Sequence, residues 1–318
     1  MNVLVTGGAG YIGSAVSAVL ARHGFGAVRL DTAPDPDPTL GPFVPGDVRD
    51  LGAVTQALLH HRIRVVVHLA GLIAVGESVK EPLSYWDDNV GGALVLLQAM
   101  VDAGVRQMVF SSTAAVYGNP VETPIPESHP VAPTSPYGRS KRAVEEILRD
   151  LSDAGRIRYV ALRYFNAAGA LTGVPGERHV PETHLIPNAM RAASGGGPLA
   201  LFGTDYPTPD GTAVRDYVHV ADLAEAHVLA LQYLERQGAS DVFNLANSRG
   251  YSVLEVVRAV ETVLRRPVPV VARDRRPGDP AVLVGSSERA RRVLGWQPRY
   301  ETLSAIVESL VDHSLENC

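Results

Sequence analysis

Hydrophobic positions in the first half of the chain follow two alternating rhythms. Short, nearly continuous β-branched runs occur at residues 3–6, 27–31, 65–69, 108–111 and 159–164. Stretches with helical spacing lie between them, at 12–22, 51–61, 89–103 and 137–151. Strands that are apolar on both faces and joined by helices predict a parallel sheet covered on each side. After Asn166 the rhythm breaks. Residues 167–183 are rich in Gly, Ala and Pro and read as irregular chain. Shorter elements follow at 185–194, 199–202, 222–235, 242–245, 252–264, 268–271, 287–294 and 302–313, as in a second, smaller α/β lobe. The Pro- and Asp-rich stretch 34–38 reads as an exposed loop. There is no repeat and no coiled-coil heptad.

Composition narrows the function classes. The chain has 318 residues, 46 % apolar and 20 % charged, enough to bury a large core without staples. Its one cysteine, Cys318, excludes an internal disulfide and a cysteine-based metal site. Lys and Arg number 29 against 34 Asp and Glu, a net charge of −5, which argues against a nucleic-acid binder. No basic segment precedes the first strand, so no signal peptide is expected. The longest apolar stretch, 65–75, contains His68 and is too short to span a bilayer. The expectation is a soluble cytoplasmic protein. His60-His61 lacks further ligands at suitable spacing, so no metal site is expected.

The strongest local signal is Thr6-Gly7-Gly8-Ala9-Gly10-Tyr11-Ile12-Gly13, between the first strand and the first helix. Glycines there permit a tight turn and let backbone approach a pyrophosphate. The helix N-terminus supplies free N–H groups and partial positive charge. A glycine-rich turn alone has a bland explanation, but this one opens a βαβ unit whose next strand ends at Asp31. An acid there accepts from ribose hydroxyls and repels a 2′-phosphate, which predicts NAD over NADP. Arg29 does not build a phosphate pocket.

Tyr137 and Lys141 stand four residues apart at the start of a predicted helix, on one face. An ammonium close to a phenol favours the phenolate, which then acts as general base toward a hydroxyl. Surface Tyr–Lys pairs are common. The dinucleotide signal upstream and the hydroxyl-bearing strand end Ser111-Ser112-Thr113 favour the catalytic reading. Ligands of open parallel sheets bind at such strand ends. Thr113 is placed to bond both the reacting hydroxyl and the tyrosine oxygen.

The segments Val5–Ser14, His68-Leu69-Ala70-Gly71, Ala74-Val75-Gly76-Glu77-Ser78, Ser111–Gly118, Ser135-Pro136-Tyr137-Gly138-Arg139-Ser140-Lys141, Arg163–Ala170 and Asp210–Val220 together resemble the extended short-chain dehydrogenase/reductases. The later blocks resemble their UDP-glucose 4-epimerase branch. The resemblance implies an α/β fold: a Rossmann-type, doubly wound parallel sheet with a smaller C-terminal α/β substrate lobe. Residues 1–166 would bind NAD and 167–318 would form most of the UDP-sugar lobe, with segments near 222–245 returning to the first. It implies a tightly held NAD and transient oxidation at the sugar C4. The 4-keto sugar turns over in the pocket, with Tyr137 as base and acid, Lys141 lowering its pKa and Thr113 assisting. Matched cofactor positions are Gly7, Gly10, Tyr11, Ile12, Gly13, Asp31, Asp47, Val48, Leu69, Ala70, Gly71, Asn89, Ser111, Tyr137, Lys141 and Tyr164. Matched substrate positions are Thr113, Asn166, His184, Leu185, Phe202, Arg215, Arg276, Asp279 and Leu283. The resemblance also implies a homodimer through a four-helix bundle built from helices near 89–103 and 137–151.

Three positions depart from the branch. Ile73 stands where some members carry lysine. The loop Thr32-Ala33-Pro34-Asp35 replaces an Asn-rich one and predicts weaker cofactor retention. Leu283 replaces a bulky tyrosine, which opens the pocket to UDP-GlcNAc and UDP-GalNAc. A 4,6-dehydratase needs two carboxyl groups after the active-site threonine, where Ala114 and Ala115 stand. Chemistry on UDP-glucuronate, and a non-catalytic NAD-binding regulator, remain as alternatives.

Overall fold

The computed structural model describes residues 1–177, 182–276 and 278–316. The strands are β1 (Asn2–Thr6), β2 (Gly26–Asp31), β3 (Phe43–Pro45), β4 (Val65–His68), β5 (Gln107–Thr113), β6 (Arg158–Tyr164), β7 (Asn166–Ala168), β8 (Leu199–Phe202), β9 (Val214–His219), β10 (Asp241–Leu245), β11 (Gly250–Ser252), β12 (Val270–Arg273) and β13 (Val282–Leu283). The helices are α1 (Tyr11–Arg22), α2 (Leu51–His60), α3 (Val75–Lys80), α4 (Pro82–Tyr85), α5 (Gly92–Asp102), α6 (Pro136–Asp153), α7 (Leu185–Ala193), α8 (Val220–Glu235), α9 (Val253–Leu264) and α10 (Leu303–Glu316).

Seven strands form one parallel sheet in the order β10-β6-β5-β4-β1-β2-β3. The order reverses between β1 and β4, the switch point beside which ligands of such sheets sit. All of β4, Val65–His68, is buried, as a two-faced strand requires. One face packs on α1 and α8, the other on α2, α5 and α6. β10 lies far along the chain yet forms the sheet's outer strand against β6. β7 follows β6 directly and leaves the sheet to pair with β9. β9 in turn pairs with β11 and β13. β8 and β12 pair separately, and α7, α9 and α10 enclose a third core.

The segment 34–38, predicted to be an exposed loop, is partly buried. The Asp35 carboxylate accepts two bonds from the buried Arg29 guanidinium, at 2.6 and 2.9 Å, and Asp37 caps a short 3₁₀ turn. Ion pairing with Arg29 holds the Asp35 carboxyl below its usual range. The helix expected at 89–103 begins as a π turn, Trp86–Gly91, before α5. The sequence pattern passed over β3, β7, β9, β11, β13, α3 and α4, which are short or mixed in polarity.

Candidate active site

The loop Gly7–Gly10 turns between β1 and α1. The Gly7 and Gly8 N–H groups donate to the Leu30 carbonyl at 2.9 and 3.3 Å. A Cβ on Gly13 would stand 2.0 Å from the Gly7 carbonyl oxygen, so α1 meets the loop with no room for a side chain. Gly10 caps α1 without a side-chain hydrogen bond, which leaves first-turn N–H groups for an anion. Asp31, at the end of β2, accepts from the Ala9 N–H at 3.0 Å and the Ala33 N–H at 2.9 Å. A carboxylate has lone-pair sites beyond these two, so a ribose diol still finds an acceptor. The cradle, the uncapped helix and the acid fit a dinucleotide.

Other predicted cofactor positions surround this loop. Leu69 donates its N–H to the Thr6 carbonyl at 3.1 Å, and Ala70 and Gly71 continue past the end of β4. Val48 is buried and Ile12 packs on the core. Asp47 is gripped by Arg49 at 2.7 Å, which lowers its pKa. Asn89 is spent on the fold. Its amide bonds the Leu72 carbonyl and Ser140 Oγ at 3.1 and 2.9 Å, and its Oδ1 takes the Leu72 N–H at 2.8 Å. Its amide hydrogens are therefore unavailable to a ligand, and its contribution is to brace the loop after β4. Tyr11 reaches across the molecule to donate to the Gly169 carbonyl.

The three residues predicted to act together, Tyr137, Lys141 and Thr113, assemble at the carboxyl end of β5. Ser135 Oγ accepts from the Gly138 N–H at 3.1 Å and Pro136 opens α6, so Ser-Pro fixes the helix start and the place of Tyr137. A Cβ on Gly138 would lie 2.6 Å from the Ala115 carbonyl oxygen, so only glycine lets α6 approach the strand end. Thr113 Oγ1 accepts from the Ala115 N–H at 3.1 Å and hydrogen-bonds the Tyr137 hydroxyl. Burial pushes the Tyr137 phenol up and this bond pulls it down. Lys141 Nζ donates to the Ser111 carbonyl at 3.0 Å and lies over the Phe110 ring. Burial draws its pKa down to about 8. The expected lowering of the phenol by Lys141 is therefore not what the geometry gives. The ammonium is itself desolvated and turned to a carbonyl, and the Tyr137 pKa is raised.

Among the described residues no carboxylate pairs with the Lys141 ammonium to repay that desolvation. His68 bonds Thr6 Oγ1 at 2.8 Å and is held neutral, its pKa near 3, by burial first and by Lys141 second. Lys141 binds its proton less tightly folded than unfolded, so the cost is full below about pH 8 and fades as pH rises toward the free-lysine value near ~10.4. Lys141→Met should therefore raise ligand-free stability at pH 7 by about 1–2 kcal/mol and give no gain near pH ~10.5, while removing turnover. Urea unfolding at the two pH values checks this; equal gains at both would refute it.

Tyr164, opposite Thr113 on β6, donates to His227 Nε2 at 2.5 Å, because His227 Nδ1–H donates to the Leu223 carbonyl at 2.8 Å. Two residues on, Asn166 lies opposite Tyr217 of β9. Leu283 of β13 lies opposite Arg215. Arg215 pairs with Asp279, and the Arg276 guanidinium stacks 4.1 Å over the Phe202 ring. Arg275 pairs instead with Asp205 and covers Tyr206. Four predicted substrate positions thus fall into two contacting pairs. His184 caps α7, next to Leu185, and its ring contacts Glu177 and Glu182. Burial pulls its pKa down, but the two carboxylates outweigh that and raise it. Ligand atoms of these three residues lie within 4.8 Å of one another, a grouping the sequence reading did not foresee.

Sequence reasoning missed the supporting groups Thr6, His68, Ser140 and His227. The available signal was polarity inside otherwise apolar strands, as in Val65-Val66-Val67-His68.

The Rossmann-type sheet and its glycine cradle define a dinucleotide-binding class, and the chain belongs to the NAD dependent epimerase/dehydratase family, whose model matches residues 3–246. Within it the chain groups with the UDP-glucose 4-epimerases. It is 48 % identical over 323 residues to the UDP-glucose 4-epimerase of Azospirillum brasilense, covering 99 % of this chain and 93 % of that one. The UDP-glucose 4-epimerase of Brucella ovis in complex with NAD superposes with a TM-score of 0.94, at 43 % identity and 98 % coverage of both chains. That of Bifidobacterium longum in complex with NAD+ and UDP superposes with a TM-score of 0.94, at 38 % identity, covering 100 % of this chain and 99 % of the other. No helix among the described residues is long and apolar enough to cross a membrane.

Proposed function

We propose that this chain interconverts UDP-galactose and UDP-glucose, with NAD held by the Gly7–Gly13 loop and Asp31. The observation that carries the proposal is the Tyr137–Thr113 hydroxyl pair at the end of β5, with Lys141 one turn behind Tyr137. Bound NAD supplies reversible hydride exchange at the sugar C4. Tyr137 takes the 4-hydroxyl proton as that carbon becomes a ketone. Thr113 holds the oxygen in line with the phenol. The ketone would turn over in the pocket, and Tyr137 would return the proton to its oxygen. Arg215 and Arg276 suit a pyrophosphate, since a planar guanidinium donates two parallel bonds. Asp279 then gives up part of its pairing with Arg215 to a ribose hydroxyl. In this reading the seven-stranded sheet carries the cofactor and the part built on β9 and β13 carries the UDP-sugar.

A coupled assay with UDP-galactose, run with and without added NAD, tests the reading. UDP-glucose formation is expected. Dependence on added NAD would trace to the altered loop after Asp31, and no product under either condition would overturn the assignment. Leu283 supports a second substrate. A leucine beside Arg215 leaves room that a tyrosine would fill, so UDP-GalNAc should turn over within about tenfold of UDP-galactose, the worth of roughly 1.4 kcal/mol. A rate below about one-thousandth of the UDP-galactose rate would refute this.

We also propose a homodimer. Val79, Leu83, Trp86 and Leu94, along α3, α4, the π turn and α5, are 64, 82, 40 and 49 % exposed. Such a patch marks an interaction surface. Light scattering should give twice the mass of one chain for the parent and a monomer for Leu94→Asp; a monomeric parent would sink the idea.

A further inference from the structure

α6 carries a third polar residue on the stripe that bears Tyr137 and Lys141. Glu145 is one more step of four along, and it is buried at 1 % exposure. Its carboxylate is fully engaged. Oε1 accepts from Ser112 Oγ at 2.6 Å and from Arg163 Nε at 2.9 Å, and Oε2 accepts from Arg163 Nη2 at 2.6 Å. Ser112 and Arg163 are register partners on β5 and β6, so Glu145 lies across both strands at once. Each sits next to a site residue: Ser112 before Thr113, Arg163 before Tyr164. Arg163 is fixed from behind as well. Its Nη1 donates to the Tyr117 hydroxyl at 2.9 Å, which donates to Asn244 Oδ1 at 2.7 Å on β10.

A buried ion pair adds little net stability over well-packed apolar groups, so burial energy does not explain this one. Direction does. Val144 and Leu148 press α6 onto the sheet, but apolar contacts are non-directional and tolerate a small slide along the helix axis. A three-bond fork with bidentate geometry does not. Four residues of helix separate Glu145 from Lys141, about 6 Å of rise, and four more reach Tyr137. A slip of the fork is therefore a slip of the phenol against Thr113. A misplacement of about 1 Å costs ~10²-fold in rate.

We propose that the Glu145 fork on Ser112 and Arg163 is the register pin of the active site, making Glu145 and Arg163 positioning residues that set Tyr137 over Thr113 and Lys141 over Ser111. The kinetic part rests on the epimerase reading; the placement of Lys141 does not, and it can be read without turnover. The chain has only two lysines, Lys80 and Lys141, so carbon-13-labelled lysine resolves both by NMR.

The experiment compares the parent protein with Glu145→Gln and Ser112→Ala. Glu145→Gln should lower kcat for UDP-galactose by about 30–100-fold with KM within about threefold, and shift the pH profile of kcat. In Ser112→Ala, which keeps the charges of Glu145 and Arg163, Lys141 should titrate measurably higher than in the parent, with Lys80 unmoved. Ser112→Ala removes one donor of three and should give the same changes at about 3–10-fold, and it carries the test alone should Glu145→Gln not fold. Variants that melt earlier but keep the parental kcat, pH profile and Lys141 titration would overturn the pin and leave Glu145 purely structural. An inactive parent whose charge-neutral Ser112→Ala variant still moves Lys141 would overturn the epimerase reading and keep the pin.

Discussion

Tyr137→Phe should give a folded protein that holds as much dinucleotide as the parent and turns over UDP-galactose about 10³-fold more slowly. The substitution removes one oxygen. The ring keeps its volume and its edge contact with Tyr85, whose centroid is 6.3 Å away. Thr113 loses the phenol but keeps the Ala115 N–H, so no buried acceptor is stranded. What disappears is the hydroxyl that bonds Thr113, one helical turn from Lys141. Removing a general base costs ~10²–10⁴-fold, and in the proposed mechanism the same oxygen also returns the proton. Single-turnover kinetics, together with nucleotide content measured after denaturation, reads both halves. Turnover within threefold of the parent would take Tyr137 out of the chemistry and revive a dinucleotide-binding regulator.

Gly13→Ala should produce a protein that retains no dinucleotide and unfolds several kilocalories more easily, of order ~3 kcal/mol or more. The added carbon has no allowed position. It would lie 2.0 Å from the Gly7 oxygen, 2.8 Å from Gly8 Cα and 2.9 Å from Gly7 carbonyl carbon. All three are backbone, which cannot swing aside as a side-chain tip can. Either α1 moves away from the sheet, opening the packing of Val16, Val19 and Leu20, or the loop is pushed out and its shape is lost. Gly10→Ala is the control, because its nearest neighbour stands at 3.2 Å and the same methyl meets only a tight contact. Urea unfolding and bound-nucleotide content should separate the two variants clearly; equal behaviour would show that the loop tolerates bulk.

Much of this architecture is legible in the sequence because its signals are local. The alternation of β-branched runs and helical spacing marks every strand of the large sheet except β3, which has three residues and too little pattern to see. The glycine loop and the Tyr137–Lys141 spacing are legible for the same reason: turn chemistry and helix periodicity act over a few residues. Long-range pairings are not. Nothing near Asp35 in the sequence announces that it will grip Arg29 under a loop that looks solvated. The π turn at Trp86–Gly91 breaks the helical period from which the start of α5 would be read. The ammonium of Lys141 turns to a carbonyl on another strand, and its charge state depends on burial that no spacing encodes. Glu145 illustrates the limit. In sequence it is one of many acids on an amphipathic helix, and only the facing pair Ser112 and Arg163 gives it a task.

The late return of β10 to the first sheet has a consequence for how such a chain can change. Two hundred and forty residues in, the backbone comes back to lay an outer strand against β6, and Asn244 on that strand ties to Tyr117 and to the Ile125 carbonyl. The two halves are stitched rather than hung side by side. A cassette carrying a different sugar pocket cannot be spliced in after Asn166, because it would carry off part of the sheet that holds the cofactor. New specificity in this scaffold must arrive by replacement in place, with the weave of the chain left intact.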